Sequence, residues 1–171
     1  MIDMIPVTMA DGAIKELYEE AFPKAEQRPW DWQQQLIAAG KVRVLRIVKD
    51  EEHFAGFVFY WQLPAFNFIE HFAIHTAARG GGAGTRVMQL LEQQLGTIVL
   101  EVEPPATEQA IRRIAFYERL GYQTFPDNYE QPSYYPEFPP LTLCLMYKGF
   151  PPATANFLQV KEQLYKYVYT K

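Results

Sequence analysis

The chain has 171 residues, about half of them apolar, which suits a single domain over residues 1–171 with a real buried core. A net charge of −4 argues against a nucleic-acid partner, and no apolar run reaches the ~18 residues of a membrane span. The single cysteine, Cys144, cannot close an internal disulfide, and the N-terminus lacks the basic and apolar segments of a signal peptide; the expected compartment is therefore the reducing cytoplasm.

In chain order, MIPVT predicts a short strand, and ADGAIKELYEEAF a helix with Ile14, Leu17, Tyr18 and Phe22 at helical spacing. RPWDWQQQLIAAG predicts a second helix between Pro29 and Gly40. KVRVLRIV and FAGFVFYWQL form a hairpin around KDEEH, with Val42, Val44 and Ile47 expected on one face. FNFIEHFAI (Phe66 to Ile74) is a third strand. AGTRVMQLLEQQLG is a helix with a stripe of Val87, Leu90, Leu91 and Leu95, ended by Gly96. TIVLEV has the continuous apolar character of a covered strand. The helix over PPATEQAIRRIAFYERLGY has Thr107 as its N-cap and Gly121 just past its end. YQTF begins a strand, 127–140 is a Pro- and Tyr-rich loop, LTLCLMYK places Cys144 in a buried strand, and the chain closes on a helix with Phe157, Val160, Leu164 and Val168 on one face. A strand-helix-strand unit from Phe66 to Val102 makes a parallel crossover beside an antiparallel meander. The fold class is thus α/β (α+β): a mixed, mostly antiparallel sheet of six to seven strands flanked by helices on both faces.

Four glycines crowd into Gly80 to Gly84, between a strand and a helix. A P-loop would need lysine and Ser/Thr after the last glycine, where Thr85 and Arg86 stand. The dinucleotide fingerprint fails as well, on Thr85 or on Val87. What remains is a helix N-terminus with unsatisfied amides, no side chains in the way, and Arg79 and Arg86 nearby, which is an anion site. The three histidines, His53, His71 and His75, lack metal-ligand spacing, and no metal is expected.

RGGGAG (Arg79 to Gly84) resembles the pyrophosphate-loop pattern Q/R-x-x-G-x-G/A of the GNAT superfamily of N-acetyltransferases, and FYERLGY (Phe116 to Tyr122) resembles that family's F-Y-x-x-x-G-F/Y helix segment. The two lie in the family's order, about thirty residues apart. The resemblance implies acetyl-CoA as co-substrate, lying between two splayed parallel strands. Its pantetheine arm would pair near Phe72, Ala73 and Ile74, and its pyrophosphate would rest on amides of Arg79, Gly80, Gly81, Gly82, Ala83, Gly84 and Thr85. It also implies direct attack by an amine, with Tyr117 at the leaving thiolate. Ile111 departs from the polar residue usual in that helix.

The attacking amine must lose a proton. Glu70, alone in an apolar strand, is the first candidate base, with Glu101 and Glu103 as rivals at the end of the next strand. In a regular strand His71 points away from Glu70; a bulge would change that. Trp30, Glu101, Tyr129 and Tyr134 are candidate acceptor-pocket residues, and Glu130 or Glu137 could draw in a cationic amine. The acceptor stays open: a small amine, an amino acid, a peptide amine or an aminoglycoside-like polyamine. A non-catalytic acyl-CoA sensor is the alternative. The late strand and C-terminal helix could support a homodimer.

Overall fold

The computed structural model describes residues 1–170. Five helices and eight strands form among the described residues. Strand β1 (Ile2–Val7) leads to helix α1 (Gly12–Ala21), whose N-cap Asp11 accepts a hydrogen bond from the Ile14 amide at 3.0 Å. α1 stops before Pro23, and α2 (Trp30–Ala38) starts after Pro29. The two prolines isolate a seven-residue link, Pro23 to Pro29, which contains one 3-10 turn, Lys24–Glu26. Strands β2 (Arg43–Lys49), β3 (His53–Gln62) and β4 (Asn67–Ile74) form the meander, followed by α3 (Ala83–Leu95), β5 (Ile98–Val102), α4 (Glu108–Arg119), β6 (Gln123–Thr124), β7 (Tyr129–Gln131), β8 (Leu141–Lys148) and α5 (Phe157–Gln163). A π-helical turn, Leu164–Val168, extends α5.

The sheet order is β1-β2-β3-β4-β5-β8-β6, with β7 on β8, and the one parallel neighbour pair is β4–β5. The count is eight rather than six or seven, because the 127–140 loop folds its first part into β7 against Leu141–Leu143. Both faces of the sheet are covered. Tyr18 of α1, Ile37 of α2, and Val160 and Leu164 of the C-terminal helix meet Phe57, Phe59 and Phe68 on one face; Val87, Met88 and Leu91 of α3 and Tyr117 of α4 meet Val58, Ile69 and Leu100 on the other. Two details differ from the sequence pattern. Ile47 shares the α3 face with Leu45 rather than that of Val42 and Val44, because strict alternation puts odd and even residues of β2 on opposite faces. Cys144 is half-buried, since β8 lies near the sheet's end with thinner cover.

Two irregularities position the site. β4 and β5 stay paired for three residues only, from Asn67–Ile98 to Ile69–Leu100. Beyond that point they diverge, and Glu70 and Glu101 are the first residues past the last rung. In the same place β4 bulges: Tyr60 faces Ile69 and Phe59 faces His71, leaving Glu70 without a partner on β3. The extra residue turns both Glu70 and His71 toward the α1–α2 face. His71 packs edge-on against Tyr18 and Phe22, with ring centroids 4.9 and 4.8 Å away.

Candidate active site

The divergence of β4 and β5 opens a groove of about 470 Å³, floored by Ile69, Glu70, Leu100 and Glu101 and walled by α4. At one end Gly80, Gly81 and Gly82 adopt φ of +87°, +60° and +79°, a left-handed run that side-chain-bearing residues resist. A Cβ on any of these three would meet open space, so backbone conformation, not crowding, calls for glycine there. Gly82 is the N-cap of α3, and the amides of the following turn have no carbonyl acceptor within the helix. At Gly84 a Cβ would approach Phe116 of α4 to 3.4 Å, so that glycine keeps the two helices close. Arg79, Arg112 and Arg113 line the groove, and the Arg79 Nε donates to the Ile74 carbonyl at 3.0 Å. Phe72, Ala73 and Ile74 form its β4 wall, where the edge facing β5 has no strand partner. Gly81, Gly82 and Ala83 face a second opening that also takes in Met1, Lys49 and Arg86. Gly80 and Gly84 line this end of the groove with Arg79 and Arg112, while Gly81 and Gly82 turn to the neighbouring opening; a left-handed glycine turn, a helix N-terminus and guanidinium groups are the donor types a diphosphate needs. His75 is engaged elsewhere, its Nδ1 accepting from the Ala77 amide. Ile111 is exposed, and Gln109 and Arg112 provide the polar surface of α4 at the groove.

Tyr117 of α4 lines the same groove, buried against Phe116 and Tyr122. Burial pushes its hydroxyl up to about 12, with Arg113 pulling the other way, so it stays protonated and can donate.

The two carboxylates past the last rung have opposite surroundings. Glu70 receives a bidentate pair from Arg28, with Nη1 at 2.6 Å from Oε1 and Nη2 at 2.7 Å from Oε2. Trp61 Nε1 and the Tyr134 hydroxyl also donate to it. Arg28 is itself 1% exposed, ringed by Trp32, Trp61 and Tyr134, and held by Gln33. Burial works against the charged form of Glu70, but the Arg28 guanidinium outweighs it and holds the carboxyl below its usual range. Glu70 therefore has little proton affinity to offer an amine, which weakens the expectation that it is the base.

Glu101 takes hydrogen bonds from two tyrosines, Tyr129 to Oε2 and Tyr169 to Oε1, both at 2.6 Å. Burial, aided by the charges of Glu70 and Glu26, pushes it up to about 8 against those two donors. It borders the groove on one side and, on the other, an inner cavity of about 60 Å³ bounded by Phe22, Glu26, His71, Glu103, Gln131 and Tyr134.

Of the predicted acceptor residues, Glu101, Tyr129 and Tyr134 converge here. Trp30 does not: it packs on Tyr18 and Phe59 as a core anchor, because α2 turns that face to the sheet. Glu130 and Glu137 are exposed at the surface and border neither cavity. Arg28, Glu26, Gln131 and Tyr169 were not singled out from sequence. The prolines bracketing AEQR are the one signal that could have marked Glu26 and Arg28, since they force a short non-helical link between two helices. Tyr18 fixes that link, its hydroxyl accepting from the Arg28 amide at 2.7 Å.

The family model described as Acetyltransferase (GNAT) family matches residues 12–122. A GNAT-family protein from Bacteroides thetaiotaomicron is 33% identical over 99% of this chain and 99% of its own, with a TM-score of 0.90. A Bacillus subtilis acetyltransferase in complex with CoA shares the fold, at TM-score 0.61 and 12% identity over 88% of this chain and 100% of its own. So does a spermidine N-acetyltransferase from Vibrio cholerae in complex with CoA and spermine, at TM-score 0.59 and 12% identity over 86% and 94%. No curated protein sequence matches the chain.

Proposed function

The chain belongs to the acetyltransferase (GNAT) family, and from that premise we propose that it transfers an acetyl group from acetyl-CoA directly to an amine, with Glu101 as the proton acceptor and Tyr117 as the proton donor to the leaving thiolate. The observation that carries this assignment is the placement of Glu101 at the divergence of β4 and β5, open to both groove and inner cavity and bonded to hydroxyls rather than to a cation.

The energetics favour Glu101 over Glu70. An aliphatic ammonium with a pKa near 10.4 costs about 4–5 kcal/mol to neutralise at pH 7. Handing its proton to an ordinary glutamate is uphill by about 8 kcal/mol; a carboxylate raised to about 8 reduces that to about 3 kcal/mol. Tyr129 and Tyr169 orient the carboxylate while it is charged. Glu70 acts differently, fixing with Arg28 the bulge in β4 and hence the direction of the strand's free edge. Amides of that edge would bind the developing oxyanion. The CoA moiety would be held by Phe72, Ala73 and Ile74 along β4, and by Arg79 to Thr85 and Arg112 at its phosphates.

The test is thermal shift and calorimetry with acetyl-CoA, followed by free-CoA release across a panel of amines. Stabilisation with turnover supports transfer. Stabilisation without turnover on any amine supports a sensor, and stabilisation by ATP or NAD instead of CoA would overturn the cofactor assignment.

A further inference from the structure

The inner cavity presents more hydrogen-bond acceptors than the protein itself satisfies. Glu26, on the Pro23–Pro29 link, and Glu103, just past the end of β5, both line it. His71 is 3% exposed, and its Nε2 lies 2.9 Å from the Glu26 carbonyl, so that nitrogen carries the proton and Nδ1 presents a lone pair. Nδ1 finds no donor and lies 3.6 Å from Glu70 Oε1, a second acceptor. Gln131, also 3% exposed, borders the same space and brings to it an unpartnered donor, its amide nitrogen. Glu26, Glu70, Glu101 and Glu103 thus surround one space in which Arg113 is the single lining cation, Arg28 being engaged by Glu70 behind it. Such a space lacks a compact group with several donors and no acceptor, which is what an ammonium is.

Size narrows the choice. About 60 Å³ is well below the ~150 Å³ that accommodates a benzene ring, but it holds an ammonium with its first methylene. The cavity shares Phe22, Glu70, Glu101 and Arg113 with the groove, so the two spaces adjoin at Glu101. A carboxylate on the acceptor would meet four carboxyl groups.

We propose that the inner cavity seats a second ammonium group of the acceptor, so that the enzyme's preferred substrate class is an aliphatic diamine or longer polyamine, not a monoamine or an amino acid. This rests on the transfer chemistry above, with the reacting amine at Glu101 and the distal ammonium between Glu26 and Glu103. Burial and Glu103 raise Glu26 to about 7, against Arg113, and burial raises Glu101 to about 8; a bound dication expels protons from both.

The experiment compares three amines of one skeleton: 1,4-diaminobutane, n-butylamine and 4-aminobutyrate. Expected kcat/KM falls in that order, with the diamine at least ~10-fold above butylamine, a gap of about 1.4 kcal/mol. Glu26→Gln and Glu103→Gln should each collapse the diamine-to-butylamine ratio toward one. Calorimetry of 1,4-diaminobutane into the CoA complex, in buffers of differing ionisation enthalpy, should show net proton release that Glu26→Gln reduces. Turnover of all three amines at similar efficiency overturns the second-ammonium seat and leaves acetyl transfer standing. Diamine binding with proton release but no turnover supports the seat and removes the transfer chemistry. A diamine that is neither bound nor turned over overturns the seat.

Discussion

The groove has two halves built on different principles. The half facing α3 is mostly backbone: three left-handed glycines, a helix N-terminus and an unpaired strand edge, all within Phe72 to Thr85. The half facing α1 and the C-terminus is made of side chains from distant parts of the chain. Arg28 reaches Glu70 across 42 residues, Tyr134 reaches it across 64, and Tyr169 reaches Glu101 across 68. Glu70 and Glu101 sharpen the contrast further. They lie one step past the same rung of paired strands, yet one is neutralised by a guanidinium and the other is bonded only to hydroxyls. The lesson is that a carboxylate's role follows from its partner, not from its place on the strand.

The largest expected effect comes from removing that partner. Arg28→Met leaves Glu70 buried and unpaired and should cost about 3–5 kcal/mol in denaturant unfolding. A loss under ~1 kcal/mol would mean that Trp61 and Tyr134 alone suffice to hold the carboxylate. Glu101→Gln should lower kcat about 100- to 1,000-fold with acetyl-CoA affinity retained. The wild-type kcat/KM should rise with pH through about 8, where Glu101 loses its proton, and the variant should lack that limb. If Glu70→Gln removes the limb instead, the two roles are exchanged.

On the backbone half, Gly82→Glu places a carboxylate and a strained positive φ at the N-cap of α3, and should weaken acetyl-CoA binding at least ~10-fold by calorimetry. Unchanged affinity would move the phosphates off this loop. Tyr117→Phe should lower kcat by about 10-fold, roughly 1.4 kcal/mol, while leaving CoA affinity in place. Equal turnover in both proteins would take Tyr117 out of the chemistry.

The smallest effect concerns stability and pH. Glu101 is raised in the folded state, so between its unfolded value near 4.5 and about 8 the folded protein binds more protons. Stability should therefore fall as pH rises through that window. Glu101→Gln should flatten the decline, with a melting-temperature advantage over wild type of about 2–4 °C at a pH of about 8.5. A steeper decline in the variant would place the titrating group elsewhere, Glu26 being the next candidate.

Most of the frame was legible in the residues themselves. Asp11 and Thr107 cap the helices they precede, Gly121 takes the left-handed turn after α4, and the apolar character of β3 and β8 survives in their burial. The glycine loop was legible as a left-handed turn into a helix N-terminus for the same reason: amides, φ angles and missing side chains are properties of neighbouring residues. β7 was not legible, because three residues in a proline-rich loop carry no period and become a strand only against Leu141–Leu143.

By itself, then, the sequence determined most of the elements, the two-faced sheet and the glycine turn that opens α3, since helical period, strand alternation and turn chemistry act over a few residues. Tertiary structure alone decided the bulge that brings Glu70 and His71 to one face, the capture of Glu70 by Arg28 and the pairing of Glu101 with Tyr129 and Tyr169. An isolated glutamate in a strand has one proton affinity on paper. In the folded molecule it has the affinity that burial and its partners impose, and those partners come from far along the chain.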